Sequence, residues 1–218
     1  ESTSLLLSVV CAILCVIGVG LALAFGPQLY EQIARPSFST VSGGIVKDPP
    51  KTVRDFTLLD QNNKPLRMSD LRGKAVLLFF GYTHCPDVCP VAIADYVQVK
   101  RKLGDRANGV AFVMVTVDGE RDTPAVLKNY MQSFDASFIG LTGSPDAVRS
   151  IAADYGANFQ KQQAQGTQAS YLMAHTSFTY LIDVQGQWRV AYPFGTPWKD
   201  IAADVEKVLG EEKVSSKK

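Results

Sequence analysis

Two cysteines carry the chemistry open to this chain. Cys85 and Cys89 lie in the run Phe79-Phe80-Gly81-Tyr82-Thr83-His84-Cys85-Pro86-Asp87-Val88-Cys89-Pro90. An apolar run ends just before them, and a helix is expected to start near Pro90. At a helix N-terminus the dipole and the free backbone N–H groups favour thiolate over thiol. Paired thiolates suit disulfide exchange or the gripping of a soft metal ion. Thioredoxin-type redox pairs keep two residues between their cysteines, and this pair has three. The spacing by itself leaves redox and metal chemistry both open.

The chain has 2 histidines. His84 adjoins Cys85 and is read first as a loop side chain that polarises its neighbour. His175 lies in Tyr171-Leu172-Met173-Ala174-His175-Thr176, just ahead of a late strand. In a thioredoxin-like sheet the loop before that strand faces the cysteine loop, and thioredoxins place a cis-proline there. No proline occurs between Ala147 and Tyr192. An imidazole at that position makes a group of two thiolates and one nitrogen with Cys85, Cys89 and His175. Such a set suits Cu(I) in three-coordinate form and can also hold Cu(II). Zinc would need a fourth ligand, which water could supply.

The elements that must position these residues follow from hydrophobic patterning. Ala75 to Phe80 is a continuous apolar run, as expected of a strand covered on both faces. Val110 to Val117 is a second. Helices are expected from near Pro90 to Leu103, from Asp122-Thr123-Pro124 to Phe134, from Ser144-Pro145 to Tyr155 and from Trp198 to Leu209. Asp122 is read as the N-cap of its helix rather than as an acid behind the metal group, and Asp118 is the other candidate for that second role. Strands are also expected at Val53 to Asp60, Pro65 to Met68, Ser177 to Ile182 and Trp188 to Tyr192. The order predicts an α/β fold, a thioredoxin-like mixed sheet flanked by helices, with the cysteines at the carboxyl end of a central strand.

Ahead of this domain, Leu5 to Phe25 contains no charged residue. At about 1.5 Å per residue it would cover about 30 Å, the thickness of a bilayer core. Phe25-Gly26-Pro27-Gln28 offers no small-residue cleavage site, so an uncleaved transmembrane anchor is expected over 1–26. Cys11 and Cys15 share one face of that helix and are read as small apolar fillers. Residues 27–50, rich in Pro, Gly, Ser and Thr, read as a stalk, 51–210 as the folded domain and 211–218 as a flexible tail. The net charge of +1 gives no electrostatic case for nucleic acid.

The block Gly81 to Pro90 resembles that of the Sco/SenC copper proteins. Val117-Asp118-Gly119-Glu120-Arg121-Asp122-Thr123-Pro124 and His175-Thr176, followed by a strand ending Tyr180-Leu181-Ile182-Asp183, resemble two further segments of that family. The resemblance implies copper bound by Cys85, Cys89 and His175. It also implies a domain facing the periplasm or the mitochondrial intermembrane space, with a bacterial inner membrane favoured by the absence of an Arg-rich transit segment. Family members serve assembly of the dinuclear copper centre of cytochrome c oxidase subunit II, by delivering copper received from an upstream donor, by keeping that subunit's cysteines reduced, or both. On this reading the protein is a metallochaperone rather than an enzyme.

Two positions depart from the family pattern. The family usually has Asp where this chain has Ala174, which removes an acid that could orient His175. It usually has Pro at Gly119, a change expected to affect only the turn. The alternative function is a metal-independent thiol–disulfide oxidoreductase cycling the Cys85–Cys89 pair. A peroxiredoxin-type peroxidase fits poorly, since those proteins carry Thr three residues before the reactive cysteine and Thr83 is two before Cys85.

Overall fold

The computed structural model describes residues 20, 21, 23, 25, 43–163 and 171–215, with side chains to Glu211. Of the expected anchor only Gly20, Leu21, Leu23 and Phe25 fall among them, each helical and exposed. The rest of that segment, with Cys11 and Cys15, and most of the stalk lie outside the described residues. Among the described residues no helix is long and apolar enough to cross a membrane.

The elements run β1 (Ile45–Thr52), β2 (Thr57–Asp60), β3 (Pro65–Arg67), β4 (Ala75–Gly81), α1 (Val88–Leu103), β5 (Val110–Thr116), α2 (Pro124–Phe134), β6 (Ile139–Thr142), α3 (Pro145–Asp154), β7 (Phe159–Gln163), β8 (Tyr171–His175), β9 (Phe178–Ile182), β10 (Gln187–Pro193) and α4 (Trp198–Ser215). Eight strands form one mixed sheet in the order β1-β10-β9-β4-β5-β6-β2-β3. Strands β4, β5 and β6 are parallel, and every other pairing in the sheet is antiparallel. Every residue of β4 and β5 is buried, because helices and loops cover both faces of the sheet centre. Phe79, Phe80, Leu77 and Leu78 of β4 anchor the core.

Strand β9 runs antiparallel to β4 with Thr179 opposite Phe79, which brings the residues ahead of β9 beside the carboxyl end of β4. Those residues are Thr176 and Ser177, and before them comes β8. Strands β7 and β8 form a separate two-stranded ribbon in which Phe159 pairs with His175.

Three expectations need correction. Ile45 to Pro50, expected as stalk, belong to β1. Its prolines are tolerated because β1 is an edge strand whose pairing with β10 shifts register between Val46 and Lys51. The supposed flexible tail is helical as far as Ser215, extending α4 through the good helix formers Glu211, Glu212 and Lys213. Asp122 is not a cap: the Thr123 side chain accepts from the Val126 N–H, and Asp122 turns inward.

Candidate metal centre

Strand β4 ends at Gly81, and the chain turns through Tyr82 to Asp87 before α1 begins. Gly81 is required by close packing, since a Cβ there would stand 2.4 Å from Phe79 Cε1 and 3.2 Å from Cys89 Sγ. Cys85 is half-buried in the turn, and Cys89, in the first turn of α1, is fully buried.

His175 reaches this turn from the end of β8. One ligand atom from each of Cys85, Cys89 and His175 fits within 4.8 Å of the others. His175 Nε2 is 3.4 Å from Cys89 Sγ. Its Nδ1 lies 3.3 Å from the Thr176 carbonyl, and a carbonyl only accepts, so Nδ1 carries the proton and Nε2 the lone pair. A backbone carbonyl thus orients the imidazole. Ala174 is its neighbour in β8, and strand alternation puts the Ala174 side chain on the opposite face from His175. Phe79 and Tyr82 hold the ring edge-on, with centroids 5.9 and 5.8 Å from it.

The two thiols differ electrostatically. Cys85 is held well below the ordinary thiol range, first by the hydrogen bond from Cys89 and then by the backbone N–H groups of Asp87 and Cys89; burial opposes the shift. Cys89 is pushed up, because its S–H is the donor to Cys85 and because it is buried. The free pair is therefore asymmetric, with the thiolate favoured at the more accessible sulfur and the proton at the buried one. Burial and the adjacent sulfurs push the Tyr82 hydroxyl up to about 12.

Behind the turn lies Asp122, with no exposed surface. It accepts from the Thr83 N–H at 2.9 Å, the Thr83 hydroxyl at 2.6 Å and the Thr116 hydroxyl at 2.6 Å. It therefore fixes the loop that carries Cys85 to the end of β5. Asp118 serves a different join. Its carboxylate pairs with Arg121 and accepts from Tyr171 Oη at 2.7 Å, while the Arg121 guanidinium stacks 3.7 Å over the Tyr171 ring and donates to the Tyr171 carbonyl. These contacts bind the β5–α2 loop to β8, the strand that ends in His175. A Cβ at Gly119 would stand 2.4 Å from the Gly143 oxygen, so this loop packs backbone to backbone more tightly than a turn-only role requires.

The three residues expected to converge do so. His84 lies outside their group, with Nδ1 facing Thr83 and Asp122. Sequence reasoning assigned no role to Tyr82, Phe79, Thr83 or Thr116. The aromatic residue directly after a buried strand was the available signal for Tyr82.

A family model described as SCO1/SenC matches residues 46–210. The SCO2-like protein of Rickettsia felis is 34% identical over 144 residues, spanning 66% of this chain and 70% of the relative. The mitochondrial protein SCO2 of Saccharomyces cerevisiae is 37% identical over 134 residues, spanning 61% of this chain and 44% of the relative. The structure of Bradyrhizobium japonicum ScoI with copper bound superposes with a TM-score of 0.65 at 37% identity, covering 72% of this chain and 99% of that one. The likeness extends over the mixed sheet and its flanking helices, the thioredoxin-like arrangement expected from the sequence.

Proposed function

This chain belongs to the SCO1/SenC family, and we propose that it binds copper at Cys85, Cys89 and His175 in the service of cytochrome c oxidase assembly. On this reading it delivers copper to subunit II, keeps the cysteines of the dinuclear copper centre there reduced, or does both. The observation that carries the proposal is the convergence of two sulfurs and one imidazole nitrogen within 4.8 Å. Soft thiolates with one neutral imidazole suit Cu(I), and the same set can hold Cu(II).

The protein's own groups prepare the site. His175 is held with its Nε2 lone pair toward Cys89. Hydrogen bonding favours the thiolate at Cys85 and the proton at Cys89, so the Cys89 proton is the harder one for loading to displace. Three ligands from this chain leave room for a partner's thiolate to join before any is released. An uncleaved anchor over Leu5 to Phe25 would hold the domain at a membrane, in the periplasm or the mitochondrial intermembrane space. The apolar run of the sequence and the mitochondrial relative support that location.

The test is to replace His175 with Ala in the full chain and measure Cu(I) affinity by competition. We expect a loss of at least about tenfold, since a ligand is removed rather than an outer partner of one. Unchanged affinity would sink the three-ligand site.

The thiolate–thiol pair favours a second reading that can coexist with the first. Cys85 would attack a partner's disulfide and form a mixed disulfide as the partner's first thiolate leaves. Cys89 would then lose its proton and attack Cys85 Sγ, releasing the second thiolate and closing a Cys85–Cys89 disulfide. If the metal-free dithiol leaves an oxidised peptide of the subunit II copper motif unreduced, this reading is removed.

A further inference from the structure

Thr83 sits between two partners whose chemistry fixes a third. Its hydroxyl is 2.6 Å from Asp122 Oδ1 and 2.9 Å from His84 Nδ1. Asp122 is fully buried and is surrounded by donors: the Thr83 N–H and the Thr116 hydroxyl both point at its other oxygen. A carboxylate so placed only accepts. A hydroxyl has one proton, and Thr83 gives it to Asp122. Thr83 must therefore accept from His84, and Nδ1 carries that ring's proton. In the neutral imidazole, Nε2 is left with its lone pair. The His84 side chain is 48% exposed although Nδ1 faces the buried Asp122, so Nε2 is on the open side of the ring. A buried acid, acting through Thr83, thus fixes Nδ1 of a surface histidine as the hydrogen-bond donor, so that the neutral ring, one residue from Cys85, carries its lone pair on Nε2.

We propose that His84 is a relay ligand for copper. Its Nε2 takes hold of Cu(I) while the ion passes between the Cys85–Cys89–His175 site and a partner's thiolate, and releases it at either end. The inference rests on the copper reading above. Its chemistry is ligand exchange: a Cu–N bond to His84 forms as one bond to the resident or the partner ligands breaks, and copper stays Cu(I). No tautomer exchange is needed, because the form that donates from Nδ1 already carries its lone pair on Nε2. Thr83 and Asp122 are positioning residues for this nitrogen. A histidine of the other tautomer would present N–H to the ion and bind nothing.

The experiment loads the full chain with Cu(I) and follows its transfer to the chelator bathocuproine disulfonate at several chelator concentrations. For His84→Gln we expect transfer about tenfold slower, with Cu(I) affinity at equilibrium kept within about twofold of the parent. Free imidazole should restore the rate of His84→Gly, which a merely structural histidine would not allow. Equal rates in parent and His84→Gln overturn the inference, as does absence of imidazole rescue. A fall in affinity as large as the fall in rate also overturns it, since His84 would then be a resident ligand. A parent chain that binds no Cu(I) instead defeats the copper reading itself, so the two failures are distinguishable.

Discussion

Nε2 of His175 stands 3.4 Å from Sγ of Cys89, across 86 positions of sequence. The approach is set by register. Thr179 opposite Phe79 fixes how far β9 extends past the end of β4, and the short link before β9 then leaves His175 beside the cysteine turn.

The unequal thiols predict a flat pH profile for Cys85. A depressed pKa means that Cys85 stays ionised from its lowered value up through the ordinary thiol range, and is protonated only as pH falls below that lowered value. Alkylation of the metal-free, reduced chain by iodoacetamide should therefore be nearly constant between about pH 6 and 8, where an ordinary thiol gains about tenfold per unit. Cys11 and Cys15 are replaced by Ser for the measurement. A tenfold rise per unit at Cys85 would contradict the assignment of the thiolate.

Gly81→Ala should damage both fold and site. The added methyl meets the fully buried Phe79 ring and crowds the buried Cys89 Sγ. We expect a loss of about 1–3 kcal/mol in urea unfolding together with weaker Cu(I) binding. Parental values for both would show that the end of β4 relaxes freely.

Ala174→Asp, which restores the residue usual in the family, should change little. Its side chain leaves β8 on the face opposite His175, whose Nδ1 already donates to the Thr176 carbonyl. Cu(I) affinity is expected to stay within about threefold of the parent, below the effect of a true outer-sphere partner. A gain of tenfold or more would mean that a carboxylate at 174 reaches the imidazole.

Asp122→Asn removes one acceptor from a buried carboxylate that receives three hydrogen bonds. The amide NH₂ either opposes the Thr83 N–H on the Oδ2 side or, on the Oδ1 side, forces the Thr83 hydroxyl to accept instead of donate. Chemical denaturation should show a loss of about 2 kcal/mol. Unaltered stability would imply that Thr83 and Thr116 find other acceptors.

The cores of β4 and β5 were readable because a strand covered on both faces needs an unbroken apolar run, and Ala75 to Phe80 and Val110 to Val115 supply one. Strand β7 left no such trace. Phe-Gln-Lys-Gln-Gln is exposed after Phe159, and the ribbon is held at buried Phe159 and Met173. Pro49 and Pro50 argued for a stalk, and only the position of β1 at the sheet edge makes them compatible with a strand. Cys85 and Cys89 were evident from spacing, and His175 from its place before a strand. Asp122 could not be read locally. Asp-Thr-Pro offers two capping side chains, and the choice between them was made by Thr83 and Thr116, which belong to other segments.

The ribbon of β7 and β8 gives the copper group a divided mechanical footing. Both thiols belong to the turn and helix rooted in the eight-stranded sheet, whereas the imidazole rides on a two-stranded hairpin outside it. Isolated hairpins are marginal, and such units open at lower free energy than central strands. The clasp therefore has a fixed jaw of sulfur and a hinged jaw of nitrogen. Amide hydrogen exchange should be faster along β8 than along β4, and copper, by bridging the jaws, should slow it.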